Sequence, residues 1–284
     1  MSTPPTIRSA LAAVVEAMRS AYGPDAVKPQ QLADGGHDET FIERTAPLLE
    51  FLYAKYFRVR MIGIENVPAE GPALLVANHS GGLPYDGAML IYGIYREHPH
   101  HRRLRALVAN FAFHSGWMAN VVAKIGGVRA SQETAQPLLA AGNLVGVFPE
   151  GLKGVGKLYR ERYRLARFGR GGFARLSRQT QVPMIPVAIV GAEEIHPVMG
   201  KITALAGPLG IPYIPITPTF PWLGPLGLLP VPTKWTIRIG APIAPPPPVV
   251  DDPDGTARKA EEVRSAIDTM IADLLAQRRS IIFG

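Results

Sequence analysis

The segment Asn78-His79-Ser80-Gly81-Gly82-Leu83-Pro84-Tyr85-Asp86-Gly87 sets a histidine after the apolar run 73–77 and an aspartate seven positions later. A neutral imidazole takes a proton from a hydroxyl near pH 7. A carboxylate on its other nitrogen fixes the tautomer and stabilises the imidazolium that forms. The bland alternative is that Asp86 caps a helix and His79 bonds only to backbone. A second candidate, Phe148-Pro149-Glu150-Gly151, follows another apolar run, so its carboxylate falls where open α/β sheets bind ligands. A third, Val182-Pro183-Met184-Ile185-Pro186, carries two prolines in a strand-like stretch and predicts a sheet edge or an irregularity. The chain has no cysteine, which removes a thiol nucleophile, disulfides and thiolate metal sites together.

These residues need elements to hold them. Apolar runs at 73–77, 104–108, 144–148, 184–190 and 235–239 predict strands, and helical spacing predicts helices near 86–96, 114–124, 132–141, 170–180 and 255–277. That alternation predicts an α/β fold, a mixed, mostly parallel sheet flanked by helices. An N-terminal helical pair is expected at 7–22 and 39–56. The chain then divides into a helical, membrane-proximal region, 1–57, and the unit that carries the motifs, 58–284.

Taken together, the three motifs resemble, in order and approximate spacing, the glycerolipid (lysophospholipid) acyltransferase superfamily over about residues 60–245. Arg162-Tyr163, Gly171-Gly172-Phe173 and Gly191-Ala192-Glu193-Glu194 resemble its monoacylglycerol/diacylglycerol acyltransferase-like branch. The resemblance implies His79 as general base and Asp86 as its orienter. It also implies Arg129, in Gly126-Gly127-Val128-Arg129, and Glu150 with Gly151 as substrate-binding residues. The family's Phe-Pro-Glu-Gly-Thr-Arg-Ser reads here Phe148-Pro149-Glu150-Gly151-Leu152-Lys153-Gly154, so Lys153 replaces an arginine that grips phosphate bidentately. Six residues separate His79 from Asp86, where the family has four. The longer loop keeps a rival open, a non-catalytic lipid-binding protein on a degenerate scaffold.

The implied reaction moves an acyl group from a thioester, acyl-CoA or an acyl carrier protein conjugate, to a hydroxyl of a glycerolipid or lysophospholipid. No cofactor and no metal is expected. Gly151-Leu-Lys-Gly-Val-Gly156-Lys157 imitates a P-loop, but Leu158 stands where the Mg²⁺-binding hydroxyl belongs. Neither Ser80 nor Ser115 lies in Gly-x-Ser-x-Gly. His98, His100 and His101 lack carboxylates at ligand spacing and read as a solvated loop.

Composition adds the surroundings. Thirty Lys and Arg against 23 Asp and Glu give a formal net charge of +7, and nine of those cations lie between Lys153 and Arg178 with one acid, Glu161. Without a recognition motif this run suits the phosphates of coenzyme A or of anionic lipids, not nucleic acid. Residues 202–232 carry no charge and eight prolines, which forbids a spanning helix but suits a loop meeting the headgroups. No secretory signal is apparent, and the expected location is peripheral, on the cytoplasmic face of the cell membrane. The expected partners are an acyl thioester donor, a glycerolipid acceptor and the membrane surface.

Overall fold

The computed structural model describes residues 38–80, 84–109, 116–168, 171–204, 206, 213–248 and 252–284, with Ala12 and Val15. The helix expected over 7–22 lies outside these residues, those two positions apart. The first continuous element is α1 (Glu39–Glu50), started by the Asp38 side chain, which accepts the Phe41 N–H at 3.0 Å, and continued by a π-helical turn, Phe51–Tyr56.

Among the described residues nine strands follow: β1 (Arg60–Ile62), β2 (Ala73–Ala77), β3 (Leu104–Val108), β4 (Val128–Arg129), β5 (Leu144–Val147), β6 (Met184–Val190), β7 (Gly200–Ile202), β8 (Ile214–Ile216) and β9 (Thr236–Ile239). Seven form one sheet in the order β1-β9-β6-β2-β5-β3-β4, parallel throughout except where β9 meets β6, while β7 and β8 pair apart. The helices between them are α2 (Tyr85–Glu97), α3 (Gly116–Lys124), α4 (Gln132–Ala140), α5 (Leu152–Val155), α6 (Gly172–Thr180) and α7 (Pro253–Gln277). The expected mixed, mostly parallel sheet flanked by helices is what the chain forms.

Helices cover both faces, which is why β2 is apolar at every position and buried throughout. Leu74 and Val76 face α4, α6 and α7; Ala73, Leu75 and Ala77 face α2 and the turn carrying Tyr53 and Phe57. Phe57 is fully buried and stacks on Trp235 with ring centroids 4.6 Å apart. Residues just before position 58 therefore belong to the same core as the sheet.

Pro186 lies in an interior strand, not at an edge. The pairing on the β9 side passes from Met184 opposite Ile243 to Val187 opposite Ile239, one residue out of register. The missing proline donor falls at that slip, and the Pro186 carbonyl still accepts the Gly240 N–H at 2.8 Å. The prolines marked the irregularity, which sits inside the sheet.

Candidate active site

Strands β2, β5 and β6 run parallel and adjacent, so their C-terminal ends open on one edge, where α/β sheets bind ligands. His79 leaves that edge two residues after β2. The residue before it fixes the departure: the buried Asn78 donates from Nδ2 to the Ile189 carbonyl (3.0 Å) and accepts the Ile189 N–H (2.7 Å). A side-chain amide thus extends the β2–β6 ladder by one step and holds the backbone of His79 against the core.

Asp86 enters from the first turn of α2. Its Oδ2 lies 2.6 Å from His79 Nδ1, with side-chain exposures of 1% for the aspartate and 19% for the histidine. The carboxylate also accepts the Ser80 N–H (2.8 Å), the Ser80 hydroxyl (3.2 Å) and the Gly87 N–H (2.8 Å), so its orientation is over-determined. The longer loop therefore still returns the aspartate to the imidazole. Burial is the largest influence on His79 and opposes its charge. The Asp86 charge, the hydrogen bond to Asp86 and the Glu150 charge together outweigh it, so the histidine pKa is raised. With Nδ1 turned to Asp86, Nε2 is the nitrogen left to face a substrate. The Phe148 ring packs against the imidazole at a centroid distance of 4.8 Å.

Glu150 takes a part that its sequence position does not announce. Its side chain is fully buried; Oε1 accepts the His79 N–H at 2.9 Å and Oε2 accepts the Ala166 N–H at 2.7 Å. Lys157 Nζ stands 3.0 Å from Glu150 Oε2 and 3.0 Å from Glu193 Oε1. Glu193 Oε2 in turn accepts the Tyr163 N–H at 2.9 Å. One ammonium shared by two buried carboxylates leaves a negative charge in excess. Burial raises the Glu193 pKa more than Lys157 lowers it.

The other expected residues are spread along the same edge. Gly151 adopts φ +54°, the left-handed turn out of β5, and Lys153 is exposed on α5. Arg129 ends β4, three strands from β2, so the sheet spacing sets it roughly 14 Å along the edge from His79. Backbone donors around 80–82 or 149–151 are the candidates for stabilising an oxyanion. The Ser80 N–H is engaged by Asp86 and the Gly151 N–H by the Phe148 carbonyl, while 81–83 lie outside the described residues.

The basic run divides. Lys157 is buried in ion pairs and Arg178 Nη2 donates to the Asp252 carbonyl, whereas Lys153, Arg160, Arg164, Arg167 and Arg175 are exposed. The His98 imidazole is not solvated: it is buried, with Nε2 3.2 Å from the Val67 carbonyl. Asn78, Gly154, Lys157 and Glu193 are the site residues that sequence reasoning passed over. Lys157 had a signal, a P-loop-like spacing, which pointed elsewhere.

A family profile described as Acyltransferase matches residues 58–190, which contain the dyad, Glu150 and Lys157. An uncharacterized protein of Mycobacterium tuberculosis is 46% identical over 241 residues, 84% of this chain and 67% of the relative. A Mycobacterium leprae counterpart is also 46% identical over 84% of this chain, and 66% of its own. A Bos taurus protein named "DGAT1/2-independent enzyme synthesizing storage lipids" is 26% identical over 125 residues, 44% of this chain and 36% of its own. The fold is similar to that of the 1-acyl-sn-glycerophosphate (LPA) acyltransferase PlsC of Thermotoga maritima, with TM-score 0.50 and 18% identity over 94% of this chain and 96% of that one. The part of the chain that carries the dyad and Glu150 thus matches the Acyltransferase family, over residues 58–190.

Proposed function

We propose that this protein transfers a fatty acyl group from a thioester, acyl-CoA or an acyl carrier protein conjugate, to a hydroxyl of a glycerolipid or lysophospholipid. The observation that carries the reading is the 2.6 Å contact between His79 Nδ1 and Asp86 Oδ2 at the C-terminal edge of β2. Nε2 of His79 takes the acceptor's hydroxyl proton as that oxygen attacks the thioester carbonyl. The tetrahedral intermediate collapses with cleavage of the C–S bond, and the imidazolium returns its proton to the departing thiolate. Asp86 stabilises the imidazolium between the two steps. Glu150 holds the His79 backbone, and Lys153 and Arg129 are assigned to substrate phosphates.

The acceptor lives in a bilayer, and we assign the protein to its surface, peripherally and on the cytoplasmic side. Trp222, Leu223, Leu226 and Leu229 are exposed in the uncharged segment, Trp222 by 78%, and close in sequence they offer apolar side chains to a lipid surface. Among the described residues no helix is long and apolar enough to cross a membrane. The helical region 1–57 is assigned to the same surface.

The test is purified protein with labelled acyl-CoA or acyl carrier protein conjugate and a panel of lysophospholipids, mono- and diacylglycerols. A labelled lipid product, reduced ~10²–10⁴-fold in a folded His79→Ala variant, is expected. Wild-type transfer by that variant would overturn the reading.

A further inference from the structure

Glu193 and Glu194 are neighbours that serve opposite sides of one segment. Glu193 meets Lys157 beside the candidate active site. Glu194 instead meets Arg278, with Oε2 2.6 Å from Nη2 and Oε1 2.8 Å from Nη1. On that second side lies a cavity of about 430 Å³ lined by Arg160, Arg162, Arg164, Arg278 and Arg279, with Glu194 the acidic residue among the described lining.

The five arginines are not equivalent. Arg278 is locked by Glu194, the Tyr163 hydroxyl and the carbonyls of Lys234 and Ile281. Arg162 Nε stands 4.0 Å from Glu194 Oε1, and its guanidinium lies 4.3 Å from the Tyr159 ring centroid. One carboxylate is thereby committed to two guanidiniums. Arg160, Arg164 and Arg279 are exposed, and their guanidinium groups have no hydrogen-bond or ion-pair partner among the described residues. Like charges gathered around one concavity repel one another, and that cost is relieved by an anion. Every cation there is arginine, whose planar fork matches the oxygens of phosphate bidentately where lysine offers a point charge.

The geometry points to this cavity as a phosphate-binding site, in which Arg160, Arg164 and Arg279 grip a phosphomonoester or pyrophosphate against the fixed wall of Arg278. Such a group arrives on an anionic lipid headgroup or on a soluble nucleotide-type ester. Ile281 lines the cavity and is itself 41% exposed, which suits a bilayer origin. The site stands apart from the proposed acyl transfer, because occupancy is measured without turnover.

The experiment compares the full chain with two variants, Arg160→Ala/Arg164→Ala/Arg279→Ala and the charge-matched Arg60→Ala/Arg258→Ala/Lys259→Ala. Titration calorimetry at about 0.15 M salt uses pyrophosphate and adenosine 3′,5′-bisphosphate. Co-sedimentation uses phosphatidate-containing and pure phosphatidylcholine vesicles. Weakening of at least ~10-fold in the cavity variant, with less than about twofold in the control, is expected from the loss of charge-assisted bonds. Loss confined to phosphatidate vesicles makes the source a lipid; loss confined to the soluble esters makes it a nucleotide-type ligand. Equal weakening in both variants, or binding of none of the probes by the wild type, overturns the site. If the triple variant melts early, Arg279→Ala carries the same comparison.

Discussion

The backbone N–H of His79 donates to Oε1 of Glu150 across 2.9 Å, so the proposed base is held by its main chain as well as by Asp86. The second oxygen of Glu150 is occupied by Ala166 and Lys157. Glu150 is thus placed to position His79, with both of its oxygens already engaged.

Glu150→Gln must turn an NH₂ toward one of these donors. Displacing a reacting group by about 1 Å can cost ~10²-fold, so kcat should fall while the acceptor's KM changes little. Steady-state kinetics separates the alternatives. A raised acceptor KM with intact kcat would return Glu150 to substrate binding.

Asp86→Asn bears on the proton. The reaction needs neutral His79, whose pKa is raised, so the ascending, acid-side limb of kcat/KM should have its midpoint above the ordinary histidine value of about 6.5. Removing the Asp86 charge should move that limb to lower pH and reduce kcat by ~10²–10⁴-fold. Because the folded pKa exceeds the unfolded one, the imidazolium's share of stability is complete below about pH 6.5 and lost as pH climbs through the folded value. The variant should therefore lose less stability at about pH 9 than at about pH 5.5, read by urea titration. A limb that stays in place would identify another base.

Gly154→Ala tests how closely the loop after β5 approaches the histidine. A Cβ there would stand 2.7 Å from Cβ of Glu150 and 3.0 Å from Cβ of His79. Both lie close to their backbones and cannot swing away. We expect a kcat loss of roughly 10–10²-fold with ~1–3 kcal/mol of destabilisation. Wild-type values for both would show that the loop relaxes freely.

Much of this was legible in the chain. The apolar runs at 73–77 and 184–190 marked two strands of the sheet, and Asp86 stood at a helix start. The brace was not legible. Glu150 reaches His79 across 71 positions and Ala166 across 16, and both partners are backbone N–H groups that every non-proline residue carries. Lys157 invited a nucleotide reading because spacing alone cannot tell a lysine that meets phosphate from one that meets two carboxylates. The single-residue slip beside Pro186 depends on how a later segment pairs, which local pattern does not encode.

Changing Trp222 and Leu223 together to Ser should weaken vesicle binding. The wild type should favour anionic over neutral vesicles and be only partly released by salt, since screening removes the charge contribution and leaves the apolar one. Both side chains are exposed, by 78% and 58%, so the fold should survive the change. Unchanged co-sedimentation would free this segment of a membrane role.

The way the dyad is mounted sets how its motif can vary. His79 is fixed by the end of β2 and the amide of Asn78, and Asp86 by the start of α2 with its own bonds to Ser80 and Gly87. Neither anchor depends on how many residues lie between 80 and 86. Spacing is then a free variable, open to insertion or grafting, and a pattern with one fixed His–Asp interval would overlook chains whose active sites superimpose. In this architecture the heritable unit is a strand end facing a helix start.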